Sequence, residues 1–273
     1  VSMVREDGGQ YQGGIAASDV EHQVNAAKIR KLLNTNSESS SGNSISSALW
    51  FAMTYPFLLT AIYFVLLNGE ETGLQNWVFS NLKLIQFAFP AVFVFLVCRE
   101  SLSLPQWKKP AFGLGLGFGV AIIGAAMGIY FGLLKDTLPY YLLRGKVQAK
   151  VLGFGLTSVW AYGVFSMFYC LIHSGMEEYY WRWFVFKRLR TQIGKCPALI
   201  LSSIAFMSHH VILMVVFFGL TSPLALGFSL CVAVGGGVWA WLYNRSDNFY
   251  AIWASHALVD AAIFIIGYDL IFN

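Results

Sequence analysis

The stretch HSGMEEYYWRWFVFKRLR, residues 173–190, places two adjacent carboxylates and an arginine at the end of a long apolar run. Glu178 and Arg182 are four residues apart, so on a helix they share one face and can form an ion pair, with the acid on the N-terminal side. Glu177 is left beside that pair without an obvious partner. In a lipid bilayer an unpaired acid is costly, and it marks a functional site by default.

The composition is that of a membrane protein. Of the 273 residues, 57% are hydrophobic and 12% are charged, whereas soluble domains are about 25% charged. The net charge of +4 is a mild basic balance of the kind that cytoplasmic loops give to helical membrane proteins, and it does not indicate nucleic-acid binding. The four cysteines contain no CxxC pair, so they support neither a disulfide framework nor a cysteine zinc site.

Seven apolar segments follow a polar N-terminal stretch, and each is close to the roughly 20 residues that a helix needs to cross the hydrocarbon core. They lie at about 47–68, 78–98, 111–134, 154–186, 197–219, 222–243 and 248–271. The glycines of the third segment, and the GGG at 235–237, have the small-residue spacing that favours close helix packing. We therefore expect an all-α, polytopic membrane protein of about seven transmembrane helices, with the active site inside the helix bundle.

The distribution of basic residues predicts how the chain is divided and oriented. Residues 1–44 are expected to form a polar, partly disordered cytosolic tail with a short amphipathic helix around 18–33, and residues 45–150 the N-terminal transmembrane helices. With the N-terminus inside, 12 Lys and Arg residues are cytosolic, 5 are outside, Lys83 among them, and Arg182 is within the membrane. This bias favours a cytosolic N-terminus. The basic segment 135–150 fits this arrangement only if it is an interfacial amphipathic helix or if the number of spans differs by one.

Three of the predicted spans carry polar residues that hydrocarbon disfavours. The fourth carries Glu177 and Glu178, the fifth carries His210 next to His209, and the seventh carries His256 and Asp260, which share a helix face. Counted at 1.5 Å per residue from the span ends, these groups lie at depths that let them meet in one layer. We expect them to form one site.

Two kinds of chemistry fit this set of side chains. A carboxylate and a neutral imidazole can polarise one water, while a second histidine donates to a developing oxyanion. The same groups could instead bind a divalent metal such as zinc, with Glu177, His210 and His256 as ligands. The spacing does not decide whether the cofactor is a metal or none.

Three motifs in this region resemble those of the CPBP group of intramembrane proteases, which includes the type II CAAX prenyl endopeptidases and the bacterial Abi proteins. The chain has Glu-Glu-x-x-x-Arg at 177–182, Phe-x-x-x-His with Phe206 and His210, and His-x-x-x-Asp with His256 and Asp260. The resemblance covers roughly residues 155–270, and it implies that 151–273 is the catalytic transmembrane core.

The resemblance also implies roles for these residues. Glu177 and His210 would activate the attacking water, and His256 with Asp260 would stabilise the oxyanion. Glu178 and Arg182 would order the groups around the water, and Phe206 would support them. Asp260 stands where the prenyl endopeptidases have Asn. An ionised Asp cannot donate a hydrogen bond, so Asp260 must be protonated, orient His256 or bind a cation.

Two further histidines have structural interpretations that we favour over catalytic ones. His209 points roughly 100° away from its neighbour His210 on a helix. His173 lies one turn before Glu177 on the same face and could extend the polar network.

The sequence therefore predicts an intramembrane endopeptidase, glutamate-type or metal-dependent, that hydrolyses a membrane-associated or hydrophobic peptide. The expected partners are such a peptide or protein and the lipid bilayer, and the expected location is a bacterial-type plasma membrane. One alternative is a non-catalytic membrane scaffold or immunity protein, although a scaffold has no need of both imidazoles. A proton- or cation-coupled transporter is a weaker alternative, because the chain shows no convincing inverted repeat.

Overall fold

A computed structural model of the chain describes residues 44–67, 72–101 and 107–273. The predicted cytosolic tail and its amphipathic helix lie almost entirely outside these residues. The chain divides into two compact units, Val1–Ser47 and Ala48–Asn273, and the second contains all the described helices except the first turn of one.

The described residues fold into helices and contain no strand, which confirms the all-α prediction. The eight helices are α1 Ser44–Leu66, α2 Gly73–Cys98, α3 Lys109–Leu134, α4 Leu138–Gly153, α5 159–193, α6 Lys195–Phe218, α7 Pro223–Ser246 and α8 Phe249–Phe272. Among the described residues, six of these helices (α1, α2, α3, α6, α7 and α8) are long and apolar enough to cross a membrane. The protein is therefore an integral membrane protein with close to the predicted number of spans.

Helix α5 corresponds to the fourth predicted segment and is not one of those six helices. It is a continuous helical run in which α-helical turns alternate with two π-helical segments, Phe168–His173 and Tyr179–Phe186. Glu177, Glu178 and Arg182 lie in its middle and are all buried. The helix is thus polar at its centre because its carboxylates and arginine face the interior of the bundle.

The ends of the helices follow from local sequence. Ser158, Ser222 and Asn248 cap the first turns of α5, α7 and α8, each accepting a hydrogen bond from a backbone N–H. Gly194 has a φ of 86°, and this left-handed conformation, which glycine adopts without strain, separates α5 from α6. The short connections make α5, α6, α7 and α8 successive neighbours along the chain.

Helices α3 and α8 approach each other closely through two glycines. A Cβ atom added at Gly115 would collide with the backbone carbonyl of Ala251, and one added at Gly119 would lie 2.9 Å from a side-chain carbon of Leu258. The predicted packing role of the glycine repeat is therefore confirmed for one face of α3. A Cβ atom at Gly117 would meet nothing within 4 Å.

Helix α4 occupies the basic segment 135–150 that the charge count placed outside the membrane. It packs on α8 beside a cluster of Tyr130, Tyr140 and Leu270. Asp269 fixes the preceding turn by accepting hydrogen bonds of 2.8 Å from the Tyr130 hydroxyl and from the Lys135 ammonium. The prediction that the segment 135–150 forms a helix is confirmed.

Replacing Gly115 with Ala should destabilise the protein, because the new methyl group meets the backbone of α8 and overpacking costs about 1–3 kcal/mol. Gly117→Ala is the matched control on the same helix, and it should leave stability unchanged or raise it slightly because alanine is the better helix former. Thermal unfolding in detergent measures both variants. Equal midpoints for the two would contradict the close contact.

Candidate active site

The centre of the candidate site is the buried carboxylate of Glu178. Its Oε1 atom accepts a hydrogen bond from Arg182 Nη1 at 3.0 Å and lies 2.7 Å from His256 Nδ1. Glu178 is 0% exposed and Arg182 is 2% exposed. The predicted ion pair is therefore present, and it is joined by a histidine from a helix 78 residues further along the chain.

The guanidinium of Arg182 is enclosed on its other sides as well. Its Nη2 atom donates to the carbonyl oxygen of Gly236 at 3.1 Å, and its carbon lies 4.7 Å from the ring centre of Phe206 and 5.1 Å from that of Trp239. A Cβ atom at Gly236 would lie 3.1 Å from the Phe206 ring. The glycine in the middle of the predicted GGG packing site thus gives the arginine room to bind the backbone of α7.

Glu177 has a different environment, made of histidines. Its Oε1 atom lies 3.4 Å from His173 Nε2 and 3.8 Å from His209 Nε2, and its Oε2 atom lies 3.8 Å from His256 Nε2. No lysine or arginine of the described residues lies within 4.0 Å of this carboxylate. The two adjacent glutamates therefore differ: Glu178 is paired with an arginine, whereas the basic groups within 4.0 Å of Glu177 in the described residues are imidazoles.

His210 is positioned by its own helix. Its Nδ1 atom lies 3.0 Å from the carbonyl oxygen of Phe206, and because a carbonyl only accepts, Nδ1 carries the proton. In the neutral ring Nε2 then has a free lone pair. The imidazole of His210 is therefore a competent base at Nε2. Among the described residues, however, it is His209 and not His210 that lies within 4.0 Å of Glu177.

The sequence favours a structural role for His209. The structure buries it, stacks its ring parallel to that of Trp181 and brings its ring centre to 4.1 Å from that of His210. Its Nδ1 atom is buried without a hydrogen-bond partner among the described residues. Both imidazoles of the pair, together with His173, therefore belong to the surroundings of Glu177.

His256 connects the three acids. While Nδ1 faces Glu178, Nε2 lies 3.8 Å from Glu177 Oε2 and 3.7 Å from Asp260 Oδ1. The ring stacks on Trp239 at a centroid distance of 4.2 Å. A carboxylate behind Nδ1 fixes the tautomer and the ring orientation of a histidine, so the Nε2 atom is the one presented to the space between Glu177 and Asp260.

The possible metal site, Glu177, His210 and His256, is not assembled as a metal centre. Within the described residues, no three His, Cys, Asp or Glu side chains are arranged so as to hold a metal ion. Zinc ligands in proteins surround the ion at about 2.0–2.3 Å. No catalytic step is therefore assigned to a metal here.

Comparison with known families identifies this part of the chain. The family model described as "Type II CAAX prenyl endopeptidase Rce1-like" matches residues 158–262. This segment is similar to that family, and we refer to it as the Rce1-like domain. It contains all three motifs of the predicted resemblance, which is thereby confirmed. None of the curated proteins and none of the solved structures compared with the chain matches it.

The Rce1-like domain implies a membrane-embedded peptidase. It begins at the N-cap of α5 and ends six residues after His256, so it includes every residue predicted for the site. Helices α1 to α4 lie outside it. The sequence signals that could have indicated His209 and His173 were their positions one residue from His210 and one turn from Glu177.

Replacing Glu178 with Ala should strongly destabilise the protein, because it leaves the buried Arg182 without its counter-ion, a loss of about 3–5 kcal/mol. The control is Asp247→Asn, which removes the charge 3.8 Å from Arg190 in a pair whose side chains are 23% and 57% exposed, and it should cost less than about 1 kcal/mol. Free energies of unfolding in one detergent compare the two variants. Similar losses of unfolding free energy in the two variants would contradict the expectation that the buried ion pair contributes more to stability than the exposed one.

Proposed function

We propose that this protein is an intramembrane endopeptidase that hydrolyses a peptide bond in a membrane-associated or hydrophobic peptide with water activated by Glu177 and His210. The observation that carries the proposal is the contrast between the two glutamates: Glu178 is paired with Arg182, whereas the basic groups within 4.0 Å of Glu177 in the described residues are all imidazoles. A carboxylate left free in this way can accept a proton. The Rce1-like domain supports a peptidase as the enzyme class.

The attacking water is placed between Glu177 and the imidazoles of α6 and α8. Separations of 3.8 Å from the carboxylate to His209 and to His256 are longer than direct hydrogen bonds, and a bridging water is the usual link at such distances. The water oxygen bonds to the scissile carbonyl carbon as its proton passes to Glu177 or to His210 Nε2. The same proton is then delivered to the leaving amine when the C–N bond breaks.

His256 stabilises the oxyanion that forms on the carbonyl oxygen. Glu178 behind Nδ1 supports a positive charge on the ring, so that Nε2–H can donate to the developing negative charge. Arg182 holds Glu178 in place, and Phe206 and Trp239 enclose the arginine. These residues position His256 without contacting the substrate.

Asp260 is proposed to act in its protonated form, as a second donor to the oxyanion. Of the three roles open to it, the orientation of His256 is already provided by Glu178 at 2.7 Å, whereas Asp260 lies 3.7 Å from that ring. An ionised carboxylate at this position would repel the oxyanion. A carboxylic acid instead supplies the hydrogen-bond donor that Asn supplies in the prenyl endopeptidases.

We also propose a location and an orientation for the protein. We place the protein in a bacterial-type plasma membrane with its N-terminus in the cytosol, on the basis of the distribution of Lys and Arg. The peptide would then reach the site from the cytosolic leaflet.

The decisive experiment is cleavage of a panel of membrane-associated peptides by the wild type, Glu177→Ala and His210→Ala, each with and without a chelator. We expect either substitution to lower the rate at least about 100-fold, because each removes a base for the water. Glu100→Ala, on an exposed residue away from the site, should retain the wild-type rate. Loss of activity in the chelator would assign the reaction to a metal-dependent mechanism instead.

The scaffold alternative makes the opposite prediction. If the wild type cuts no peptide of the panel, and if Glu177→Ala and His210→Ala restore the phenotype of a deletion strain as well as the wild type does, then the polar network is structural and the peptidase proposal is wrong.

Asp260→Asn should keep the rate within a few-fold of the wild type or raise it, because the amide also donates to the oxyanion. Asp260→Leu, which cannot donate, should lower kcat by about 100-fold or more. Steady-state kinetics on one peptide separates the two variants. If Asn is as inactive as Leu, the carboxyl group of Asp260 acts as an acceptor or as a cation ligand.

A further inference from the structure

Lys83 is a cation inside a membrane span. The charge count grouped it with the outer residues, although the predicted segment 78–98 also contains it. It lies ten residues after the first residue of α2, Gly73–Cys98, which corresponds to about 15 Å along the helix axis. That depth is near the middle of a hydrocarbon core of about 30 Å. An ionisable side chain at such a depth is expensive and is by default part of a functional site.

The ammonium group of Lys83 forms no ion pair within 4.0 Å with an acidic side chain of the described residues. It lies 5.7 Å from the ring centre of Phe79 and 5.3 Å from that of Phe87, one turn on either side along α2. It makes no hydrogen bond, and no carboxylate lies within 4.0 Å, in the part of the chain that the structure describes. Cation–π contacts compensate only part of the lost hydration of an ammonium.

Lys83 faces the candidate active site. The ring of Phe87 meets that of His173 edge-on at 5.8 Å, and His173 Nε2 is 3.4 Å from the Glu177 carboxylate. The charge of Lys83 interacts electrostatically with Glu177 and His209. The cation therefore lies behind one layer of side chains next to the groups that surround the proposed water.

A second unsatisfied group lies on the same helix face. Gln86, three residues after Lys83, is 0% exposed, and neither of its side-chain polar atoms has a partner among the described residues. Buried amides are nearly always hydrogen-bonded to protein, water or ligand. An ammonium and an amide three residues apart on one helix, neither with a hydrogen-bond partner among the described residues, are donors suited to a carboxylate.

We propose that Lys83, with Gln86 beside it, forms a subsite that binds a carboxylate of the peptide substrate next to the scissile bond. The inference rests on the proposed peptidase function and narrows its substrate class to peptides that carry a negative charge at that position. The carboxylate is either the C-terminal α-carboxylate of the peptide or the side chain of an Asp or Glu residue. Both have the same chemistry, and the experiment below separates them.

The charges of the site show why such a subsite is needed. Glu177 and Glu178 line the interior, and the arginine beside them is already bonded to Glu178. An anionic peptide would therefore be repelled on its approach to Glu177 unless a cation offset the charge. Lys83 is placed to do this from α2, next to the ring of Phe87 that contacts His173.

The test uses two matched pairs of peptides. The first pair differs only in a C-terminal carboxylate or carboxamide, and the second only in an internal Glu or Gln. Binding is measured by fluorescence anisotropy to Glu177→Gln, which keeps the site but lacks the carboxylate base, and cleavage is measured with otherwise wild-type protein. Each is repeated with Lys83→Met, Lys83→Arg and the control Lys146→Met, whose ammonium contacts the backbone of Phe217 on another part of the protein.

We expect one acidic peptide to bind at least about tenfold more tightly than its neutral twin, as one charge-assisted hydrogen bond implies. Lys83→Met should abolish that preference, raising KM for the acidic peptide with little change in kcat and leaving the neutral peptide unaffected. Lys83→Arg should retain most of the preference, and Lys146→Met all of it. The pair that shows the preference identifies the source of the carboxylate.

Two results would overturn the proposal. In one, both pairs bind Glu177→Gln equally whether charged or neutral. In the other, Lys83→Met weakens acidic and neutral peptides alike, which indicates a structural role for the lysine. Charge-dependent binding without any cleavage by the wild type would support the subsite and count against the peptidase function, so the two inferences fail separately.

Discussion

The buried contact between Glu178, Arg182 and His256 is the interaction on which the rest of the site depends. A carboxylate and a guanidinium in a membrane interior are tolerable only when they are paired and their remaining donors are bonded. Arg182 also binds the backbone of α7, and Glu178 Oε1 also accepts from His256 of α8, while Glu178 Oε2 is buried without a hydrogen-bond partner among the described residues. One ion pair on α5 thereby fixes the positions of two other helices.

The close approach of the helices around this pair follows from the absence of side chains at particular points. Gly236 leaves space for Arg182 and for Phe206. Gly115 lets α3 contact the backbone of α8 at Ala251. Since α8 carries His256, the α3–α8 contact helps to position the helix whose imidazole binds Glu178. Packing in the first half of the chain therefore contributes to the geometry of the Rce1-like domain.

The sequence predicted those features that depend on short spacing within one helix. Glu178 and Arg182 were expected to pair because they are four residues apart, and the helical class followed from apolar length. It did not predict which imidazole of α6 comes nearest to Glu177, because adjacent residues on a regular helix point about 100° apart, yet the two rings lie 4.1 Å from each other. The π-helical turns on both sides of Glu177 add a residue per turn and change the phase of the helix, and no residue pattern in α5 indicated them.

Lys83 shows what the charge count leaves out, since both the predicted segment 78–98 and α2 contain this lysine. Counting basic residues treats each lysine as a marker of orientation, which assumes that lysines lie in water. A lysine that faces polar groups inside a bundle breaks this assumption, and the error becomes visible only when the site that it faces is known. The matched segment 158–262 supplies the acids and imidazoles, whereas α2 lies outside that segment and supplies the cation and the amide. If the two parts act on one substrate, the N-terminal helices determine which peptides are bound, and the Rce1-like domain determines what is done to them.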